Sequence, residues 1–270
     1  MRYTANARMY SVNSEAAAAW KELFSWLARD SGVDLDIIDH AFPLALADLW
    51  LRQDLGCAFI CGFPFMLATR RLKPVVAPIP SKCSIPGRPF YATRLLVRSA
   101  SEFHAIEDTF GGRLGYTVQD SHSGYNALRH HLLPYYRRRR TKLYRESVGP
   151  LTTPRRVIDA IIAGDIDIGP LDSYALDLMI RHEPEIGSQV RIVATTEPAP
   201  IPFLAAAPGC PDDIVEELQA TLTTFGKSPE SALLRDQLCL DGFAPVEIGD
   251  YELMLRWDTE ARSAGYAHPI

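Results

Sequence analysis

Apolar and polar positions follow a helical period early in the chain. The large apolar residues Trp20, Leu23, Phe24 and Leu27 recur at i, i+3, i+4 and i+7, which places them on one face of a helix. This spacing predicts a helix over residues 14–32, with a serine as N-cap and a glycine at the end.

Shorter apolar runs surround this helix. Residues 8–13, 35–42 and 57–63 predict strands, and residues 43–55 predict a helix between the last two. Continuous apolar strands that alternate with amphipathic helices are typical of a parallel sheet with helices on both faces. The pattern therefore favours the α/β class.

A second alternating series follows. It predicts helices over 99–110, 123–136, 153–164 and 173–182, and strands over 112–119, 143–149 and 165–172. Extended crossings near 90–98 and 191–204 separate this series from the rest. We therefore expect two lobes on a two-stranded hinge: lobe I from residues 1–93 plus 200–270, closed by the C-terminal helices, and lobe II from residues 94–199.

Composition narrows the class of protein. Of the 270 residues, 47% are hydrophobic and 23% charged, and 28 Lys+Arg against 33 Asp+Glu give a net charge of -5. This composition is that of a folded globular protein, and the acidic balance argues against nucleic acid as the main partner. Without a signal peptide in the sequence as written, the expectation is a cytoplasmic protein, or a periplasmic one whose signal was removed.

The cysteines do not form a disulfide pattern. There are five: Cys57, Cys61, Cys83, Cys210 and Cys239. Along the predicted strand the first two would lie roughly 13 Å apart, too far to pair. Buried free thiols are expected.

A strand that breaks into small polar residues marks a candidate anion site at residues 115–125. Helix N-termini offer free N–H groups, and the hydroxyls of Ser121 and Ser123 would add donors. These features fit a phosphate-like or carboxylate oxyanion, but N-capping by Ser123 explains the same pattern without a ligand. Asp172, at the end of another predicted strand, presents the same choice between ligand acceptor and helix cap.

Together these segments resemble a known family. The matching stretches, in order, are Tyr91-Ala-Thr93, Asp120-Ser-His-Ser-Gly-Tyr125, Ala160-Ile-Ile-Ala-Gly-Asp-Ile-Asp167, Leu171-Asp-Ser173 and Asp241-Gly-Phe-Ala-Pro245. The chain is similar to the phosphate, phosphite and phosphonate-binding proteins of ABC importers. The resemblance implies the two-lobed type 2 periplasmic-binding-protein fold, in which each lobe is a mixed, mostly parallel sheet flanked by helices.

The resemblance also implies roles for individual residues. Ser121, His122 and Ser123 would form the oxyanion cradle, with His122 at a position that is often Thr. Tyr91 would be an aromatic wall and Asp172 an acceptor. Phe63 and Tyr10 would line the site from lobe I.

One stretch departs from the family. The turn at residues 150–154 offers Thr152 and Thr153 where members commonly carry a Gly-Ser-His-like sequence. A carboxylate or a small aromatic acid therefore competes with phosphonate as the ligand.

The resemblance implies a monomeric solute-binding protein that captures a small oxyanion between its lobes by hinge closure. Its partners would be the ligand and the membrane subunits of an ABC transporter. Two alternatives stay open: a cytoplasmic lyase or dehydratase on the same fold, with His122 as acid or base, and a ligand sensor. No cofactor or metal is predicted, and the basic run at 137–145 is interpreted as a solvated helix end.

Overall fold

The computed structural model describes residues 1–82, 85–227 and 229–270. The chain divides into two compact units, Met1–Phe90 with Pro200–Ile248, and Tyr91–Ala199 with Gly249–Ile270. It passes between them three times, not twice as predicted.

Helices and strands alternate over most of the described chain. The strands are β1 (Tyr3–Asn6), β2 (Leu35–Ile37), β3 (Leu55–Ile60), β4 (Lys73–Pro80), β5 (Phe90–Tyr91), β6 (Thr93–Arg98), β7 (Arg113–Gly115), β8 (Glu146–Val148), β9 (Gly169–Asp172), β10 (Val190–Thr195), β11 (Ala199–Pro200), β12 (Phe203–Ala206) and β13 (Leu240–Ala244). The α-helices are α1 (Ser14–Ser31), α2 (Leu46–Trp50), α3 (Gly62–Leu67), α4 (Ala127–Arg139), α5 (Pro154–Ala163), α6 (Ser173–His182), α7 (Glu185–Gln189), α8 (Asp212–Phe225), α9 (Ala232–Gln237) and α10 (Glu252–Ser263).

The first unit has a six-stranded sheet in the order β13-β4-β12-β3-β1-β2. β1 runs parallel to β2 and β3, whereas β12 runs antiparallel to β3 and β4, and β13 antiparallel to β4. The sheet is less parallel than predicted, because β12 returns to this unit between β3 and β4 in the opposite direction. Trp20 and Tyr10 pack edge-on against Phe59, with ring centroids 5.0 and 4.9 Å from it.

The second unit combines an antiparallel sheet, β10-β6-β9, with a parallel pair, β7-β8. A parallel bridge between Leu114 and Ile168 joins β7 to the segment that leads into β9. Both residues are fully buried, and the core around them includes Leu128 and Leu132 of α4. Three strands therefore end on the same side of this unit, each followed by a helix.

Two predicted elements are wrong for local reasons. Residues 8–13 form a 3-10 turn over Arg8–Tyr10 and no strand, because the Asn6 side chain accepts a hydrogen bond from the Arg8 N–H at 2.8 Å. Residues 99–110 contain only a 3-10 turn, Ile106–Thr109, because Asp108 accepts from the backbone N–H groups of His104 and Ala105. Such side-chain bonds compete with regular structure.

The C-terminal residues 249–270 belong to the second unit, which corrects their predicted place in lobe I. The physical reason lies on α10: Trp257 stacks on His122 with centroids 5.3 Å apart, and Asp258 pairs with the buried Arg129. The apolar face of an amphipathic helix indicates that the helix packs against another part of the protein, but the helix sequence does not specify which part.

Cys57, Cys61, Cys210 and Cys239 are buried and are not joined in a disulfide, and Cys83 lies outside the described residues. Over residues 1–82, 85–227 and 229–270, no helix is long and apolar enough to cross a membrane. The same residues contain no group of three or more metal-binding side chains.

Candidate functional site

The candidate site consists of three junctions in the second unit where a strand leads into a helix. We call these junctions the cradle and define it as residues 121–124, 152–153 and 172–173. They begin, respectively, the turn before α4, helix α5 and helix α6. Free N–H groups at the start of each helix give such a place a positive electrostatic character.

Ser121 and Ser123 have different functions within the first junction. Ser121 is the N-cap of a π-helical turn over His122–Asn126, and its Oγ accepts from the Gly124 N–H at 3.0 Å. The predicted alternative, capping by Ser123, is therefore wrong. The Ser123 carbonyl accepts from Thr93 Oγ1 at 3.1 Å, and its hydroxyl makes no hydrogen bond to any described residue. Ser123 is the hydroxyl of this turn that is available to a ligand.

A close approach between Gly124 and Thr117 fixes the path of this turn. The Thr117 N–H donates to the Gly124 carbonyl at 3.3 Å, and a Cβ on Gly124 would lie 1.8 Å from Thr117 Oγ1. The Thr117 hydroxyl is buried and has no hydrogen-bond partner among the described residues. Only glycine fits here, so the Ser-Gly pair of the sequence reflects packing as well as any function.

The second junction is strained. Thr152 has φ 69°, a left-handed conformation that is rare for a β-branched residue. Its N–H donates to the Thr117 carbonyl at 3.1 Å, and Thr153 caps α5 by accepting from Arg156 at 3.3 Å. Strain of this kind is concentrated at functional sites, and here it places the Thr152–Thr153 turn beside the first junction.

Asp172 forms the third junction as a helix cap. Its Oδ1 accepts from the N–H groups of Tyr174 and Ala175 at 2.8 and 3.1 Å, and only 7% of the residue is exposed. It is paired in register with Thr93, the residue that also bonds Ser123. Asp172 and Ser123 are therefore both neighbours of Thr93: Asp172 through strand pairing, and Ser123 through the Thr93 hydroxyl.

His122 is buried, with 1% of its surface exposed. Its ring lies 5.3 Å from Trp257 and 6.2 Å from Tyr91. Burial, and secondarily the charge of His130, lower its pKa to about 3, so the imidazole is neutral at neutral pH. Tyr91 and His122 therefore lie close together within the second unit.

The two residues expected from lobe I lie in the first unit. Tyr10 is 1% exposed, lies in a 3-10 turn rather than at a strand end, and packs on Phe59 as a core residue. Phe63, 3% exposed, lies in the first turn of α3, after β3.

Sequence reasoning missed several polar residues that support the cradle. Thr93, Thr117 and Asn126 are buried and connect its parts through hydrogen bonds or close contact. Thr93 was part of the recognised Tyr-x-Thr stretch, so its position was available as a signal. Thr117 and Asn126 carried no signal, because a single threonine or asparagine in a predicted strand or helix does not show that its side chain is buried.

Comparisons with known proteins place this site in context. A family model described as the periplasmic substrate-binding protein of a phosphonate ABC transporter matches residues 10–251. No curated protein is similar enough in sequence to count as a match.

Solved structures share the fold at low sequence identity. A binding-protein component of an ABC phosphonate transporter from Pseudomonas aeruginosa has a TM-score of 0.81 at 13% identity, over 98% of this chain and 88% of that one. PhnD1 from Prochlorococcus marinus, solved with methylphosphonate, has a TM-score of 0.75 at 13% identity, over 97% and 98%. A Xanthomonas citri protein bound to ATP has a TM-score of 0.65 at 16% identity, over 98% of both chains.

These structures confirm the predicted fold class, that of periplasmic binding proteins. The family match, which covers most of the chain, extends from Tyr10 to Tyr251 and includes the whole cradle. The chain therefore belongs to the family of periplasmic substrate-binding proteins of phosphonate ABC transporters.

Proposed function

We propose that the protein captures a small phosphonate or phosphate-like oxyanion for an ABC importer, and that the cradle of the second unit binds the oxygens. The observation that carries this proposal is the Ser123 hydroxyl. It makes no hydrogen bond to the described residues and stands at the start of a helix whose N-cap is provided by Ser121.

The chemistry of the cradle suits an anion held by dipoles. Two of the helices that begin there, α5 and α6, each have ten residues, and α4 has thirteen beyond its π-helical turn. Each contributes N–H groups and the positive end of its dipole. His122 is neutral because burial lowers its pKa to about 3, so donors rather than a histidine cation would stabilise the ligand.

Asp172 and Tyr91 complete the proposed site. Asp172 would accept a hydrogen bond from a protonated ligand oxygen while its Oδ1 continues to cap α6. Tyr91, beside His122, would form the aromatic wall. Phe63 and Tyr10 stay predictions for the side of the ligand that faces lobe I, as does hinge closure.

The binding-protein function is favoured over the enzyme alternative. The family is that of a transporter component, and a histidine with a pKa of about 3 is a weak base near neutral pH. We accordingly propose that the protein is not an enzyme. It would act in the periplasm with the membrane subunits of its transporter, as a monomer.

Calorimetric titration with methylphosphonate tests the proposal, with phosphate, sulfate and a small aromatic carboxylate as competitors. We expect Ser123→Ala to weaken methylphosphonate binding by about 1.5–3 kcal/mol, since it removes a donor to a buried charge. Ser188→Ala is the matched control, because Ser188 is an exposed serine of the same unit whose Oγ bonds only the Glu185 carbonyl.

Two results would contradict parts of this proposal. Unchanged methylphosphonate affinity in Ser123→Ala would remove Ser123 from the site. Binding of the carboxylate alone would keep the cradle but replace the ligand class, as the Thr152–Thr153 departure allows.

A further inference from the structure

A chain of buried polar groups connects His122 of the cradle to the C-terminal segment. His122 Nδ1 lies 3.3 Å from Asn126 Nδ2, and the same Nδ2 donates to the Met254 carbonyl at 2.9 Å. Asn126 Oδ1 accepts from Arg129 Nη2 at 3.0 Å. Asn126 has no exposed surface, and Arg129 is 1% exposed.

The orientation of the Asn126 amide follows from these neighbours. A guanidinium group can only donate and a backbone carbonyl can only accept. The amide oxygen therefore faces Arg129, and the amide nitrogen faces Met254 and His122. Because an amide nitrogen only donates, His122 Nδ1 must be the acceptor, and the proton of the neutral ring lies on Nε2.

Several contacts hold the Arg129 guanidinium in place, and this group determines the orientation of the Asn126 amide. Its Nη1 donates to the Ala267 carbonyl at 3.0 Å, its Nη2 also pairs with Asp258, and its guanidinium lies 5.5 Å from the centre of the Tyr125 ring. An arginine stays protonated throughout the accessible pH range. Its donor character, and with it the amide orientation, is therefore constant.

We propose that Arg129 and Asn126 are positioning residues that hold His122 in its Nε2–H tautomer, so that the cradle contains a neutral donor and no histidine cation. The proposal rests on the proposed function only in treating His122 as part of the ligand site. An Nε2–H group can donate to an oxyanion as a threonine hydroxyl does, without the charge that would attract every anion alike.

The surroundings of His122 keep the ring neutral. The Trp257 indole stacks on both His122 and His130, with ring centroids 5.3 and 4.6 Å away. The ionisable groups near His122 include Tyr91 from β5, with ring centroids 6.2 Å apart, and His130 from α4. Arg129 from α4 and Asp258 from α10 lie beyond Asn126. Burial together with His130 lowers the pKa of His122, and the only carboxylate among these groups is already paired with Arg129.

Nitrogen-15 spectra of histidine-labelled protein test the assignment, since they distinguish both neutral tautomers from imidazolium. His122→Gln identifies the His122 signals among those of the seven histidines. We expect the Nε2–H pattern, constant from pH 5 to 8. An Nδ1–H pattern or an imidazolium would overturn the proposal, and this result needs only wild-type protein that folds.

The positioning role is tested by Asn126→Asp, because a carboxylate beside Nδ1 accepts a proton instead of donating one. The variant should change His122 to the Nδ1–H tautomer or to imidazolium, whereas Trp257→Phe, which keeps the amide, should leave the Nε2–H tautomer in place. An unchanged tautomer in Asn126→Asp would show that Asn126 does not position the ring.

Methylphosphonate titration separates the two proposals. Glutamine places an amide nitrogen near the Nε2 position and asparagine near the Nδ1 position, so His122→Asn should lose about tenfold more affinity than His122→Gln. Equal losses in the two variants would overturn donation from Nε2. If wild-type protein shows the Nε2–H tautomer but does not bind methylphosphonate, the proposed function fails and the tautomer assignment stands.

Discussion

Substitution of Gly124 by alanine tests how tightly the cradle turn is packed. The new Cβ would lie 1.8 Å from Thr117 Oγ1 and 2.8 Å from Thr117 Cβ. Distances this short force the turn and Thr117 apart. Overpacking of this kind costs about 1–3 kcal/mol. For a chain of this size, that loss lowers the melting temperature by roughly 2–10 °C.

Thermal unfolding followed by circular dichroism measures the effect. Gly187→Ala is the matched control, because Gly187 lies inside α7 and its new Cβ would make an ordinary 3.7 Å contact with Ile180 of α6. It should be neutral or raise stability by about 0.5–1 kcal/mol, since alanine favours helix. The variant Gly124→Ala should also bind methylphosphonate more weakly, because the Ser123 hydroxyl moves with the turn.

A double-mutant cycle completes the test. Thr117→Ala removes the oxygen at 1.8 Å and leaves the Cβ at 2.8 Å, so adding it to Gly124→Ala should recover part of the lost stability. We expect a coupling energy of about 0.5–3 kcal/mol. A Gly124→Ala protein that melts within 1 °C of wild type, by the order of magnitude above, would refute the packing argument.

Three further predictions concern stability and closure. Asp258→Asn leaves Arg129 charged and buried, so it should lower the free energy of unfolding in urea by about 3–5 kcal/mol. The joint change Arg129→Met/Asp258→Leu removes both charges and should lower it by less. Equal losses in the two variants would contradict the role of the buried ion pair. Because the folded pKa of His122 is about 3, the unfolded chain takes up this proton first as the pH falls, and the contribution of His122 to the free energy of unfolding should fall by about 3 kcal/mol between pH 7 and pH 4. In His122→Gln, the loss of stability between pH 7 and pH 4 should be smaller by the same amount. If urea unfolding gives the same loss for His122→Gln and wild type, His122 is not the group responsible. If the hinge closes on the ligand, saturating methylphosphonate should reduce the radius of gyration measured by X-ray scattering. The same concentration should leave the radius unchanged in a Ser123→Ala variant that no longer binds methylphosphonate.

Local signals in the sequence predicted the parts of the fold that depend on neighbouring residues. Helix α1 ends at Gly32 and α5 at Gly164, each with the left-handed C-cap that glycine favours. The order of strand, polar turn and helix also located the first and third junctions of the cradle. The N-cap of α1 is Asn13 rather than Ser14, an error of one residue that periodicity cannot resolve.

Long-range partners could not be predicted in the same way. The amide of Asn126 bonds Met254, 128 residues away, and Arg129 pairs with Asp258, 129 residues away. Asn126 ends the π-helical turn and Arg129 lies in the first turn of α4. Both are ordinary polar positions in the sequence, so nothing local predicts their burial. The mistaken place of residues 249–270 in lobe I has the same origin.

Because residues 249–270 pack on the second unit, the residues of the two units are completed at different times during synthesis. The first unit has all its residues once Ile248 has been made, whereas the second lacks α10 until the end of the chain. Domains generally fold as units, so the half that carries the cradle cannot complete its packing until α10 has been made. A nascent chain, or one clipped by a protease before α10, would have a finished first unit and a cradle without support behind His122.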